Sequence, residues 1–263
     1  MDLPIYREHW TQGREDVKLD IRYEYGVFRL LQEPLIVVQH RDQNWSQYLA
    51  GTQVEPLRLF DSEGNTVGYM RENYSLGSSI KSSVIHRGSS DRPFSVEVFD
   101  KEWNLVLYIK QQSSWDKKER INVYIPGHDQ FGRFQAKPLG CVDITGPLAK
   151  RDYNLKVYDV AEEKFDSFGH IITSPRASKF AVRTLVPGDA VETTMAGVDI
   201  DWNGLKREAF KRVPIYAVRF DLQNSPGVEE IYHNIDGNLM YDMRAVLLAA
   251  AISLDHAYFS KFK

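Results

Sequence analysis

The chain has 263 residues, of which 43% are hydrophobic, so it can form one large or two small domains with a substantial core. Its formal net charge of −3 disfavours a globally basic nucleic-acid-binding protein, and no nucleic acid partner is expected. Cys141 is the only cysteine, which excludes an intramolecular disulfide and a cysteine zinc cluster and favours packing as a small apolar group.

Short segments with alternating apolar and polar residues run through most of the chain. Residues 34–39 are typical of a buried strand, 57–60 and 94–99 alternate, and 121–125 alternate until they end at Pro126. Further strands are predicted at 139–144, 154–160, 180–185, 198–200 and 215–220. A period of two with turn residues between the segments predicts a mainly β fold, closed into a barrel or packed as a sandwich.

The sequence contains an internal repeat. Leu59 to Met70 and Val98 to Ile109 both match the pattern F-D-x-E-x-N-x-V-x-Y. In each copy one strand enters, Asp-x-Glu-x-Asn makes a turn, and a second strand leaves. Asp and Asn suit such turns because their side chains bond to the nearby backbone and they tolerate positive φ. The repetition predicts an up-and-down β architecture.

The first of these turns also has a spacing found in calcium-binding loops. Asp61, Glu63, Asn65 and Glu72 occupy the first, third, fifth and twelfth positions, but Thr66 stands where the sharp turn needs glycine. Strands flank the segment where an EF-hand needs helices, so the hairpin turn is the favoured interpretation. The histidines also lack zinc-ligand spacing, and no metal site is predicted.

The most apolar stretch lies near the C-terminus, where ten uncharged residues, 245–254, stand between Arg244 and Asp255. A membrane span needs about 20 apolar residues, and a shorter run is more often a buried core helix. At helical spacing both faces of this segment are apolar, so it must be surrounded. In a β-rich chain the sheet itself can surround it. The sequence therefore favours a helix enclosed by the barrel over a membrane span.

No sequence motif supports an enzyme. The chain has no Walker loop, no G-x-S-x-G and no G-x-G-x-x-G, and the seven histidines do not cluster. The only short helical turn predicted outside the C-terminal stretch is at 202–210. We therefore expect no catalytic residues.

Three stretches, taken together, carry a family resemblance. The first is the hairpin at 59–70, and the second is the motif formed by Trp202, Gly204, Arg207, Glu208 and Phe210. The third is the apolar ending, which includes Arg244, Ala245, Leu247, Leu248, Ala251, Leu254 and Asp255, followed by Tyr258 and Phe259. In this order and spacing the chain resembles the phospholipid scramblases, most closely their fungal mitochondrial-type branch.

The resemblance implies a fold like the tubby C-terminal domain, a closed, roughly twelve-stranded antiparallel β-barrel around a central apolar C-terminal helix. It implies that residues 1–30 form an N-terminal extension and residues 31–263 the barrel domain. It also implies movement of phospholipids between leaflets without ATP, by an intracellular protein at the plasma membrane or the mitochondrion. The alternative is a soluble tubby-like module that binds phosphoinositide membranes or proteins and translocates nothing.

The densest basic cluster of the chain consists of Lys206, Arg207, Lys211 and Arg212. Guanidinium groups pair well with phosphate, and each basic residue near an anionic membrane adds about 1 kcal/mol of attraction. We expect these four residues to contact lipid headgroups, with anionic lipids as partners. An ordinary solvated charged face is the other interpretation.

The chain departs from the animal-type scramblases in one respect. Those proteins carry an acidic calcium-binding segment directly after the W-x-G-x-x-R-E-x-F motif. Here Arg212, Pro214 and Gln223 stand where acids are expected, and a cationic side chain repels a hard cation. Calcium activation is therefore in doubt, and no cofactor is expected.

Overall fold

The computed structural model describes residues 21–39, 56–72, 94–112, 119–128, 134–147, 150–174, 177–184, 192–200, 215–225, 228, 232–235 and 239–258. They form helix α1 (Ile21–Leu31), strands β1 (Leu35–Gln39), β2 (Leu57–Phe60), β3 (Thr66–Glu72), β4 (Ser95–Asp100), β5 (Leu105–Gln112), β6 (Glu119–His128), β7 (Phe134–Thr145), β8 (Asp152–Asp159), β9 (Lys164–Ile172), β10 (Lys179–Thr184), β11 (Thr193–Asp199) and β12 (Ile215–Arg219), and helix α2 (Tyr241–Tyr258).

Each strand pairs with its neighbours in the sequence, and β1 pairs with β12 to close the barrel. All of these pairs are antiparallel, so the predicted mainly β, up-and-down barrel is confirmed. We call the end with the turns at 61–65, 100–104 and 159–164 the turn end, and the opposite end the far end. Helix α2 begins at the turn end and finishes at the far end, where His256 lies on Phe94 just before β4.

Helix α2 fills the barrel. Its residues 245–251 are at most 1% exposed, and they share one apolar cluster with the inward side chains of the strands. The wall comes close to the helix at Gly140 on β7, where an added Cβ would lie 2.4 Å from the Lys156 carbonyl oxygen and 2.4 Å from Val246 Cγ2. The helix predicted to be enclosed by the sheet is therefore confirmed.

The repeated hairpins have the same hydrogen-bond pattern. Asp61 Oδ1 accepts from the backbone amides of Glu63 and Asn65 at 2.8 and 2.9 Å. Asp100 accepts from the corresponding amides at 3.0 and 2.8 Å. In both copies the Asn side chain donates to the second carboxylate oxygen of the Asp. The hairpin prediction is confirmed, and it accounts for the calcium-like spacing of the first copy.

The two turns differ at two positions, Ser62 against Lys101 and Gly64 against Trp103, and the second difference falls on an unusual backbone conformation. Both need positive φ there: the first copy has Gly64 with φ 87°, whereas the second has Trp103 with φ 65°. Glycine adopts this conformation freely, but it costs other residues roughly 1–2 kcal/mol. The Trp103 ring stacks on Tyr69 with centroids 4.2 Å apart, yet the side chain is 50% exposed. A strained turn therefore holds a large aromatic side chain that remains half in solvent.

Three elements differ from the sequence prediction. Helix α1 was not predicted because Gly26 weakens its helical pattern. The structure accounts for this glycine, since an added Cβ would lie 2.5 Å from Val106 Cγ1. Strand β9 was missed because polar Asp166 and Ser167 interrupt its apolar residues. The expected strand end at Pro126 was wrong. Since β5 pairs with β6 only as far as Tyr124, proline is tolerated beyond that point.

The proposed division of the chain falls inside α1, which runs past residue 30. Val27, Leu30 and Leu31 of this helix are buried in the main apolar cluster, and α1 contacts both α2 and the barrel. The predicted domain boundary between residues 30 and 31 therefore stays a prediction.

We predict that Gly140→Ala lowers the free energy of unfolding by about 2 kcal/mol, because its methyl group would overlap Val246 and a backbone carbonyl oxygen. Urea denaturation followed by circular dichroism measures this change. Gly127→Ala is the matched control, since its added Cβ has no neighbour closer than 3.2 Å. Equal stability of the two variants would contradict the close packing of α2 on β7.

Candidate functional site

The N-terminal end of the core helix is fixed by the buried side chain of Arg244. Its Nε donates to the carbonyl oxygen of Leu239 at 2.9 Å, and Nη1 donates to the carbonyl oxygens of Leu31, Gln32 and Glu33 at 2.8, 3.3 and 3.3 Å. The last carbonyls of a helix lack partners within the helix, and a cation at this position satisfies them. Arg244 thereby ties the C-terminal end of α1 to the first turn of α2.

Two rings flank the same guanidinium group, with Phe220 and Tyr241 centroids 5.7 and 5.5 Å from Arg244 Cζ. Burial lowers the pKa of Arg244, while the nearby Tyr241 and Asp221 act in the opposite direction. Arginine starts from so high a pKa that the group stays charged. The residue predicted to bound the apolar helix is therefore a structural clamp.

We predict that Arg244→Met lowers the free energy of unfolding by about 3 kcal/mol, since it leaves several buried carbonyl groups without a donor. Chemical denaturation measures the loss. Arg71→Met is the matched control: Arg71 pairs with Glu97 but is 50% exposed, so its removal costs about 1 kcal/mol or less. Similar losses for both variants would contradict the role of Arg244 in joining the end of α1 to the first turn of α2.

The C-terminal end of the core helix is also polar. Asp255 is only 6% exposed, and it lies near the buried Tyr216, whose pKa is raised by burial and then by the Asp255 charge. His256 stacks on Phe94 with centroids 4.8 Å apart, and its Nε2 is 3.9 Å from Glu72 Oε2. The uncharged part of the helix thus ends in polar contacts with the far end of the barrel.

The predicted headgroup contacts Lys206, Arg207, Lys211 and Arg212 lie outside the described residues. The same holds for Trp202, Gly204, Glu208 and Phe210 of the family motif and for Pro214. In the described part of the chain, β11 ends near Asp199 and β12 begins at Ile215, both at the far end. The strand ends that flank the basic cluster therefore share an end with the C-terminus of α2.

Gln223, the last position of the expected calcium segment, lies at the turn end after β12, where its backbone N–H donates to Asp221 Oδ1. The described residues contain no group of three or more His, Cys, Asp and Glu side chains arranged to hold a metal ion. The doubt about calcium activation stays untested, because it also rests on positions 212 and 214, which lie outside the described residues.

A buried polar triad that was not predicted from the sequence joins β11, β12 and the segment after β12. Arg219 Nε donates to Asp199 Oδ2 at 2.7 Å, and the Tyr232 hydroxyl donates to Asp199 Oδ1 at 2.5 Å. Arg219 and Asp199 are each 2% exposed. Burial and the Asp199 carboxylate both raise the pKa of Tyr232. The available signal was one charged residue in each of two otherwise uncharged strands.

The segment after β12 covers the outside of the barrel wall. Leu222, Val228 and Tyr232 form a separate buried cluster with Ala181 and Ile235. The amide of Thr194 also donates to the carbonyl oxygen of Asn234 at 2.8 Å. The chain thus packs on β10 and β11 before it reaches α2, and the triad secures that contact.

Cys141 lies in the barrel wall on β7 and is fully buried. Burial raises its pKa to about 11, an effect that Arg120 partly opposes. The predicted packing as a small apolar group is confirmed by this burial.

We predict that a disulfide reagent at pH 8 leaves Cys141 unmodified in the folded protein and modifies it fully in guanidinium, because the thiolate is the reactive form and burial disfavours it. Absorbance of the released thiol follows the reaction. Rapid modification under native conditions would contradict the position of Cys141 in the wall.

Within the described residues, neither helix combines the length and the hydropathy that a membrane-spanning helix requires. Helix α2 has 18 residues, about 27 Å at 1.5 Å per residue, but they include Asp242, Arg244, Asp255 and His256.

A family profile described as Scramblase matches residues 29–261. The chain belongs to the Scramblase family. This member is 32% identical over 248 residues to the altered inheritance rate of mitochondria protein 25 of Saccharomyces cerevisiae, an alignment that covers 88% of this chain and 72% of that protein. It is 24% identical over 247 residues to a phospholipid scramblase family protein of Schizosaccharomyces pombe, covering 88% of this chain and 61% of that protein. No solved structure matches the chain.

Proposed function

We propose that the protein moves phospholipids in both directions between the leaflets of a membrane, without ATP and without covalent chemistry. The observation that carries this proposal is the Scramblase family match, which extends over residues 29–261 and so includes nearly all of the barrel and its core helix. Its substrates would be the phospholipids themselves, moving down their concentration gradient. We infer an intracellular, membrane-associated protein, with the mitochondrion favoured over the plasma membrane by the name of the Saccharomyces relative.

The membrane contact in this proposal is the basic cluster at 206–212. Strands β11 and β12 flank this cluster, and the buried Asp199–Arg219 ion pair joins them. We infer that the segment between them is anchored to a rigid part of the barrel wall. Four cations within seven residues would attract anionic lipid by about 1 kcal/mol each. We therefore propose anionic phospholipids as the lipids that Lys206, Arg207, Lys211 and Arg212 contact.

The core helix has no part in the lipid path that we propose. Its apolar surface is already covered by the barrel, with Ala245, Leu247, Leu248 and Leu254 all fully buried. Moving it into a bilayer would empty the barrel and expose the inward side chains of the strands. Lipids would instead cross where the docked barrel perturbs the headgroup layer.

The enclosed core helix supports a second candidate function. A barrel whose apolar helix is covered can dock on a membrane as a tubby-like module that binds phosphoinositides or proteins and translocates nothing. The two functions differ in one measurable outcome, because only a scramblase equilibrates lipid between leaflets.

We predict that the purified full chain, reconstituted in liposomes with fluorescent lipid, allows dithionite to reach label from both leaflets. Loss of only the outer-leaflet label, with or without calcium, would reject translocation and leave the docking function. Carbonate extraction of cell membranes distinguishes the forms of attachment, since it releases a docked barrel and retains a protein inserted in the bilayer.

We predict that Arg207→Glu and Arg212→Glu each weaken binding to anionic liposomes roughly tenfold, because each reverses one charge near the headgroups. Liposome co-sedimentation measures the affinity, and circular dichroism verifies the fold. Lys164→Glu at the turn end is the matched control, since it makes the same charge change on a side chain that is 51% exposed. Equal losses in all three variants would indicate attraction by overall charge, not by this cluster.

A further inference from the structure

We propose that the turn end of the barrel carries a second membrane contact, centred on Trp103, that docks on the quaternary ammonium groups of zwitterionic phosphatidylcholine surfaces. This inference rests on the membrane association in the proposed function and adds the lipid class that this end would meet. It is separate from the basic cluster at 206–212, whose flanking strand ends lie at the far end.

The two repeated hairpins differ in the residue that stands at positive φ. Both turns have the same length and hydrogen-bond pattern, and the first shows that glycine satisfies the backbone at this position. The second has Trp103 at positive φ, where a bulky side chain is strained. Folding therefore does not require tryptophan at this position. Strain retained at one residue is typical of a site selected for another property.

Trp103 is unusually exposed for a large hydrophobic side chain, which indicates a contact outside the barrel. Among the described residues, the large hydrophobic side chains with the most exposure are Trp103, Met240 and Ile172, at 50%, 40% and 53%. Trp103 and Met240 are both at the turn end, beside residues that α1 contacts: Arg29 bonds to Glu102, and Phe28 packs on Tyr241. Tryptophan is strongly enriched at the interface between water and lipid, because its ring is apolar and its N–H is polar.

The charges around the turns indicate which headgroup fits. The three turns that define this end hold seven carboxylates and two lysines, the acids being Asp61, Glu63, Asp100, Glu102, Asp159, Glu162 and Glu163. Lys101 and Arg29 both contact Glu102, at 3.7 and 3.4 Å. The pKa of Glu33 is raised by burial and then by the charges of Asp61 and Glu63, which agrees with a negative potential. These three described turns therefore carry a net negative charge, which repels anionic lipid.

A quaternary ammonium group is complementary to this surface. It binds to aromatic faces through cation–π attraction, and carboxylates nearby add charge attraction. In phosphatidylcholine it is the outermost part of the headgroup. The Trp103–Tyr69 stack and the exposed Glu63 carboxylate are therefore suited to phosphatidylcholine, whereas the basic cluster is suited to anionic phospholipid.

The test uses the full chain and vesicles made of phosphatidylcholine alone. We expect the wild-type protein to bind them and Trp103→Gly to bind about tenfold more weakly. Trp103→Asn should behave in the same way, because asparagine also tolerates positive φ. Ile172→Thr is the matched control, because Ile172 is equally exposed but lies at the far end, and its affinity should not change. Replacing half of the lipid with phosphatidylglycerol should restore vesicle binding of the Trp103 variants, because their basic cluster at 206–212 is intact, so the loss is specific to vesicles of phosphatidylcholine alone.

Unchanged phosphatidylcholine binding in both Trp103 variants overturns the inference, and so does an equal loss in Ile172→Thr. If Trp103→Gly instead releases a co-purified protein while vesicle binding is unchanged, Trp103 belongs to a protein interface and the lipid assignment is wrong. The dithionite assay tests the proposed function independently. A protein that fails to translocate lipid but needs Trp103 to bind phosphatidylcholine would support this inference and reject the scramblase activity.

Discussion

The packing of α2 inside the barrel constrains the rest of the structure. The middle of the helix is apolar on every side, so no side of it can face water, and the twelve strands close around it. Small residues make this possible: alanines at 245, 249, 250 and 251 let the wall approach, and at Gly140 the wall itself has no side chain. Removing the helix would leave a hollow barrel, because in the described part of the chain it is the helix that the inward side chains surround.

The polar contacts at the two ends of α2 are a consequence of its enclosure in the barrel. A helix enclosed in an apolar core still has unpaired backbone groups and polar residues at its ends, and they need partners there. At the turn end Arg244 donates to the Leu31 carbonyl at the end of α1 and to the Leu239 carbonyl just before α2, which makes α1 part of the closure. At the far end Asp255 and His256 meet Tyr216 and Glu72. The charged residues that bound the uncharged run are therefore the points where the core helix is fastened.

Alternation and repetition in the sequence predicted most of the fold. The mainly β class, the repeated hairpins and the enclosed helix all depend on local patterns, and the resemblance to scramblases supplied the strand number. Most of what was missed depends on tertiary contacts. Gly26 weakens the helical pattern of α1, and the reason for a glycine there is its close contact with Val106, which the sequence does not show. Pro126 suggests a strand end unless it is known that β5 pairs with β6 only as far as Tyr124. The triad of Asp199, Arg219 and Tyr232 brings together three segments, so the single charge in each strand does not reveal which residues are partners.

The central claim is that α2 stays inside the barrel when the protein is on a membrane. The most direct test replaces the fully buried Ala249 with cysteine, as Ala249→Cys in a Cys141→Ser background. The variant is bound to liposomes and treated with a water-soluble and with a lipid-soluble maleimide. We predict that neither reagent modifies the thiol at position 249, whereas modification by the lipid-soluble reagent on liposomes would show that the helix enters the bilayer.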